Sequence, residues 1–177
     1  TLSGSSSVTH EAVTAYSDAG ATWTDTLDGN GSISANGSVN VNVPGVYTLT
    51  YSKSDAAGNV ATQVTRTVTV QDTTSPVITL NGESNASHEA GAPYLKLGAV
   101  WTDTLDGNGS ILPNGSVVVT VPSVYMLIYS KSDVAGNAAT QVTRTVTVQD
   151  TTPPVITLNG ESNASHEAGP PYAELGA

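Results

Sequence analysis

Short stretches of alternating apolar and polar residues recur along the whole chain, separated by clusters rich in glycine, proline, asparagine and aspartate. In Val124–Ser132, for example, Tyr125, Leu127 and Tyr129 occupy every second position. A period of two is typical of a β-strand that buries one face. Further strands are predicted over 76–80, 86–90, 99–103, 116–121 and 140–148, with a turn over 105–110.

This pattern repeats with a period of 78 residues and without insertion or deletion. Residues 1–78 and 79–156 are identical at 56 of 78 positions. The stretch Trp23–Ile33 returns unchanged as Trp101–Ile111, and Ala61–Thr74 returns as Ala139–Thr152. A repeat of this length can close a β-sandwich by itself, whereas solenoid units are shorter and need neighbours.

The sequence therefore predicts an all-β protein made of tandem Ig-like antiparallel β-sandwich modules. The first repeat is expected at 1–72, without the start of its opening strand, and the second at 73–150. Residues 151–177 are expected to form the opening strands of a third repeat. We expect this tail to be either a cut through a longer string or a strand donated to a neighbouring copy, which would give head-to-tail assembly.

Several motifs follow one another in each unit: Pro-Val-Ile-Thr-Leu, Gly-Ala-x-Trp-x-Asp-x-x-Asp-Gly, Val-Tyr-x-Leu-x-Tyr, Asp-x-Ala-Gly-Asn and Thr-Arg-Thr-Val-Thr-Val. This ordered set resembles bacterial Ig-like repeats of the hyalin-repeat and pesticidal-crystal-protein type. The resemblance implies strings of Ig-like sandwiches on large secreted or surface-anchored bacterial proteins, without catalytic activity. Lys53 and Lys131 depart from the pattern, because a small residue is more usual there.

Composition narrows the choice of partners. Five basic residues stand against fifteen acidic ones, a formal net charge of −10. Nucleic acid and anionic lipid are disfavoured partners, because both are bound through lysine and arginine. No apolar run approaches the length of a membrane span, so no membrane insertion is expected in this segment.

Oxygen-bearing side chains concentrate in the loops, where they predict either ordinary turns or calcium sites. Asp28-Gly-Asn30-Gly-Ser32 and its copy place oxygens at alternate positions, and an aspartate precedes each by three residues. Calcium prefers such ligands, although Asp-Gly and Asn-Gly are also common turn formers. The inter-repeat Asp-Thr-Thr segments are a further candidate, since a cation there would stiffen a string of modules. The candidate ligands are Asp25, Asp28, Asn30, Asp72, Asp103, Asp106, Asn108 and Asp150.

Two lysines are predicted to be buried. Lys131 continues the row of Tyr125, Leu127 and Tyr129 on one strand face, as Lys53 does in repeat one. A buried ammonium group needs a partner. The expected partner is Glu89 or Asp103 in repeat two and Glu11 or Asp25 in repeat one, with an isopeptide crosslink to aspartate or asparagine as the alternative.

Six positions become larger and apolar in repeat two only. A patch of this kind predicts a contact with another copy of the chain or with another repeat. The changes relative to repeat one are Ser17→Leu95, Ala19→Leu97, Ser34→Leu112, Asn40→Val118, Thr48→Met126 and Thr50→Ile128.

Catalytic constellations are missing from the sequence. The chain has no cysteine, its three histidines occupy equivalent repeat positions, and no Gly-x-Ser-x-Gly motif occurs. The sequence therefore predicts a structural or adhesive extracellular protein of the bacterial surface, a stalk, adhesin or self-assembling fibre, and not an enzyme. The alternative is a carbohydrate-binding accessory module of a secreted enzyme, in which Trp23 and Trp101 would stack on surface glycans.

Overall fold

A computed structural model describes residues 1–173, 175 and 176. Two β-sandwiches follow one another along the chain. Repeat one contains β1 (Ser7–Glu11), β2 (Ala21–Asp25), β3 (Gly29–Ile33), β4 (Gly45–Tyr51) and β5 (Val64–Gln71). Repeat two contains β6 (Val77–Leu80), β7 (Asn85–Glu89), β8 (Ala99–Asp103), β9 (Gly107–Ile111), β10 (Ser123–Tyr129) and β11 (Val142–Gln149).

Each sandwich consists of two small sheets packed face to face. In repeat two, one sheet has the order β10-β11-β7 and the other the order β6-β8-β9. Apolar side chains from both sheets meet in one cluster, with Ala99, Leu127, Tyr129 and Val146 fully enclosed. The alternation seen in the sequence therefore separates a buried face from a solvent face, as period two requires.

One strand pair in each repeat is parallel. β7 pairs with β11 in parallel over five residues, and β1 pairs with β5 in the same way. The remaining named pairs are antiparallel. The segment of repeat one that is equivalent to β6 forms a single bridge, between Leu2 and Ala21.

Strand β9 was predicted as part of a turn, and this prediction was wrong. Gly107–Ile111 contains few β-branched residues, yet it pairs along its whole length with β8. The pairing sets Gly109 opposite Trp101, and a Cβ atom at Gly109 would lie 2.8 Å from the indole Nε1. The glycine therefore provides the space into which the tryptophan ring packs.

Two predicted strands are not formed. Residues 116–121 form a turn instead of a strand. The nearest pairing with β10 is an isolated bridge between Asn114 and Ile128. Residues 151–173, 175 and 176 contain no strand, and Val155 and Ile156 are almost fully exposed. Glu174 and Ala177, which belong to the predicted third repeat, lie outside the described residues.

The described residues include no helix of the length and apolarity that a membrane span requires.

Candidate cation site between the repeats

The two sandwiches are joined by the linker Asp72–Pro76 and by a side chain of repeat two that packs against repeat one. Leu105, in the turn between β8 and β9, packs against the core of repeat one. Its equivalent in repeat one, Leu27, is 90% exposed. The two turns have the same sequence, so the difference comes from the neighbouring module. Leu105 therefore acts as an apolar plug that couples repeat two to repeat one.

Three carboxylates meet beside this plug. One oxygen from each of Asp72, Asp103 and Asp106 lies within 4.8 Å of the other two. Asp72 comes from the linker, and the other two aspartates flank Leu105 in the sequence. The structure thus brings together three of the eight predicted calcium ligands.

Hydrogen bonds anchor one oxygen of each carboxylate. Asp103 Oδ1 accepts from the backbone amides of Leu105 and Asp106, both at 2.9 Å, and Asp106 Oδ2 accepts from the amide of Val134 at 2.6 Å. Asp72 Oδ1 accepts from the hydroxyl of Thr74 at 2.8 Å. These bonds fix the orientation of the three carboxylates while leaving their second oxygens free to bind something else.

Two of those second oxygens are buried. Among the residues that the structure describes, no donor is bonded to Asp72 Oδ2 or Asp103 Oδ2, and Asp72 as a whole is only 7% exposed. Buried polar atoms without a partner are rare, because desolvation without compensation costs roughly 1–3 kcal/mol, and more for a charged group. The arrangement can hold a hard divalent cation through oxygen ligands.

The other predicted ligands lie elsewhere. Asn30 and Asn108 are exposed members of β3 and β9, so the expected loop of alternating oxygen ligands does not form. Asp25 and Asp28 repeat the local bonds of Asp103 and Asp106, but the linker aspartate that would complete their set would precede Thr1. Asp150, the equivalent of Asp72, is exposed.

The loop between β10 and β11 is hydrogen-bonded to the linker. The Asn137 amide nitrogen donates to the carbonyl of Asp72 at 3.1 Å and to Asp133 Oδ2 at 2.7 Å. Burial opposes ionisation of Asp133, but the hydrogen bonds from Asn137 outweigh it and hold the pKa of this carboxyl below its ordinary value.

The buried lysine prediction was wrong. Lys53 is exposed and Lys131 is half-buried, because the strand ends before each lysine, at Tyr51 and Tyr129. The Nζ atoms lie 5.0 Å and 4.5 Å from the ring centroids of Trp23 and Trp101. The lysines thus lie over tryptophan faces instead of pairing with Glu11 and Glu89.

Glu11 and Glu89 instead hold the linkers. Glu11 accepts from the amide and hydroxyl of Thr73, next to Asp72, at 2.9 Å and 2.6 Å. Glu89 makes the equivalent bonds to Thr151 and a further one to Thr152. Hydrogen bonds from Thr151 and Thr152 lower the pKa of Glu89 from 4.5 to about 2.

We expect Glu89→Gln to change the acid sensitivity of repeat two. The folded pKa of Glu89 lies below the unfolded one, so its contribution is complete above about pH 4.5 and disappears as the pH falls through about 2. The melting temperatures of wild type and E89Q should therefore differ at neutral pH and converge between these values. A constant difference down to pH 2 would contradict this assignment.

The buried cation of each repeat is an arginine. Arg66 and Arg144 face the core beside the valines of β5 and β11, and each is 1% exposed. Arg66 pairs with Asp18, whereas Arg144 donates to the carbonyls of Asn81, Glu83 and Leu97 at 2.6, 2.8 and 2.9 Å. The position of Asp18 is occupied by Lys96 in repeat two. The period of two, which places Arg144 in line with Val142, Val146 and Val148, was the signal that could have revealed this burial.

The six larger apolar positions of repeat two lie in three places along the chain, between β7 and β8, between β9 and β10, and on β10. Met126 and Ile128 lie on the outward face of β10, with Met126 61% exposed and Ile128 half-buried. Leu97 and Leu112 correspond to Ala19 and Ser34 of repeat one, which line a surface cleft of about 700 Å³. Leu95, Leu97, Leu112 and Val118 are all exposed.

We expect the double variant Met126→Thr, Ile128→Thr to keep the melting temperature nearly unchanged and to weaken self-association. Both side chains lie outside the core, so their loss removes apolar surface without opening a cavity. Sedimentation velocity over a range of concentrations measures the association. The reciprocal variant Thr48→Met, Thr50→Ile is the control, and it should increase association. A large loss of stability in the first variant would show that the pair belongs to the core.

Tandem Ig-like sandwiches with a structured junction define a modular β-protein rather than an isolated domain. The family model described as bacterial surface protein, Ig-like domain, matches residues 1–70 and 78–148. The chain belongs to this family. No curated protein gives a match.

Among solved structures, the chain is similar to the lipoprotein BT2262 from Bacteroides thetaiotaomicron, at 29% sequence identity and a TM-score of 0.38. The match covers 45% of this chain and 40% of that protein.

Proposed function

We propose that this chain is a load-bearing spacer of the bacterial cell surface. It holds a more distal part of its protein away from the cell, in the extracellular medium, as a stalk or adhesin shaft. The family membership supports the location at the bacterial surface. The finer resemblance to hyalin-repeat and pesticidal-crystal-protein modules remains a prediction.

The observation that carries the proposal is the parallel pair in each repeat. The chain enters repeat two through β6 and β7 and leaves it through β11, which pairs in parallel with β7 over five residues. A tension along the string pulls the amino end of β7 and the carboxyl end of β11 in opposite directions. The bonds between them are then loaded in shear, so that several must break together.

The same geometry occurs in repeat one, where Ser7–Glu11 pairs with Thr67–Gln71. The segments after β5 and β11 begin directly at the ends of these strands. Glu11 on β1 and Glu89 on β7 bind them through hydrogen bonds from Thr73 and Thr151. Tension therefore passes from one sheet to the next through bonded segments rather than through a loose connection.

Single-molecule force spectroscopy tests the proposal. The chain has no cysteine, so attachment cysteines can be placed freely. Pulling between the two termini should give one abrupt event per repeat, each releasing up to about 27 nm of extended chain for 78 residues. Pulling between Ser123→Cys and a cysteine at the carboxyl terminus should instead unzip β10 from β11 at a several-fold lower force. Equal forces in the two geometries would contradict a load-bearing role.

A further inference from the structure

We propose that Asp72, Asp103 and Asp106 bind one calcium ion, which locks the linker to repeat two at the junction between the repeats. This goes beyond the proposed spacer role, because a spacer could bear load without any cation. It rests on the geometry of the three carboxylates and on their unpartnered oxygens.

The chemistry of the ligands selects a hard cation. All three side chains offer carboxylate oxygen, whereas zinc sites are usually built with histidine or cysteine. Oxygens bound to calcium at about 2.4 Å lie no more than about 4.8 Å apart, which is the limit within which this cluster falls. Calcium also accepts irregular coordination completed by water, whereas magnesium demands a nearly octahedral set at shorter distances.

Electrostatics favours the same conclusion. Three carboxylates at this separation repel one another, and the largely buried Asp72 is poorly screened by water. Hydrogen bonds hold the three groups in place and do not neutralise them. A divalent cation removes most of this repulsion and supplies the missing partner of Asp72 Oδ2 and Asp103 Oδ2.

The site couples the cation to the junction between the modules. Asp103 and Asp106 belong to the turn that carries Leu105, and Leu105 packs against the core of repeat one. Asp72 follows β5 of repeat one directly. A cation held by all three residues therefore fixes the linker, the turn and the apolar plug in one arrangement. The sequences Asp-Thr-Thr and Asp-Thr-Leu-Asp return with the period of 78, so the same site is expected at each junction in a longer string.

Calorimetric titration of the whole chain with calcium chloride tests the proposal, with thermal unfolding as a second readout. We expect one ion per chain, with a Kd of roughly 0.1–1 mM, as is usual for extracellular calcium modules. Millimolar calcium should raise the melting temperature, and equal magnesium should do so much less. Asp72→Asn and Asp103→Asn should abolish the binding heat and the thermal shift.

The chain supplies matched controls for both variants. Asp25→Asn removes a carboxylate with the same local hydrogen bonds as Asp103, and Asp150→Asn removes the exposed equivalent of Asp72. Both should bind calcium as the wild type does. In chelator, Asp72→Asn should be at least as stable as the wild type, because it relieves repulsion, and this excludes misfolding as the cause of lost binding. No binding at millimolar calcium, an equal response to magnesium, or unchanged binding in D72N and D103N would overturn the proposal.

Discussion

Replacing Arg144 by methionine should lower the free energy of unfolding of repeat two by about 3 kcal/mol or more, because the buried guanidinium group makes several hydrogen bonds that methionine cannot replace. The guanidinium group donates to three backbone carbonyls and to the hydroxyl of Tyr129, at 3.1 Å. A hydrogen bond from a charged group contributes roughly 1.5–3 kcal/mol, and the apolar volume of methionine offsets part of the total.

Thr145→Met is the matched control, since it lies on the opposite face of the same strand and should change stability by less than about 0.5 kcal/mol. Hydrogen exchange measured by mass spectrometry separates the two repeats and gives the loss for each one. If the arginine served only as packing volume, methionine would replace it at little cost. A loss in R144M no larger than in T145M would therefore refute the structural role of this cation.

Asp18→Ala should destabilise repeat one by about 2 kcal/mol, the magnitude usual for a hydrogen-bonded charge that loses its partner. Asp18 accepts from Tyr51 Oη at 2.8 Å and from the amide of Gly20 at 2.9 Å, and it neutralises Arg66. Burial opposes ionisation of Asp18, but these bonds prevail and hold its pKa below the ordinary value. Burial together with the bond to Asp18 raises the pKa of Tyr51 to about 12.

The expected loss is smaller than the 3–5 kcal/mol or so usual for breaking a fully buried pair, because the Asp18 side chain is 20% exposed. Repeat two provides the control: Lys96→Ala removes the equivalent, exposed side chain, which donates to the carbonyl of Gly115. K96A should be nearly neutral. Equal effects of D18A and K96A in hydrogen exchange would show that the ion pair contributes nothing specific.

Most of the fold was predictable because its signals are local or repeated. The period of 78, the alternation along β10 and β11 and the turn residues together predicted tandem β-sandwiches, and the family match agrees with them. Strand β9 was missed because Gly107–Ile111 has little β-propensity of its own. Its pairing with β8 depends on the Trp101 ring, and a partner strand is information that a local pattern does not contain.

The residue types of the candidate site could be predicted from the sequence, but its location and the set of aspartates that meet there could not. Aspartates in turns can be read from the sequence, yet only the junction decides which of them meet. Leu27 and Leu105 show why: the same turn sequence is exposed in one repeat and packed in the other, because burial here depends on a neighbouring module. The lysines were misassigned for a related reason, since the alternation was extended past the last residue of the strand.

In the proposed spacer, the repeats are coupled into one continuous string at a cation-bound junction. Residual dipolar couplings measured by NMR on the whole chain test it most directly. With calcium, a single alignment tensor should fit the backbone couplings of both repeats. With chelator, or in Asp72→Asn, the two repeats should require separate tensors. Independent tensors for the two repeats in saturating calcium would contradict the claim.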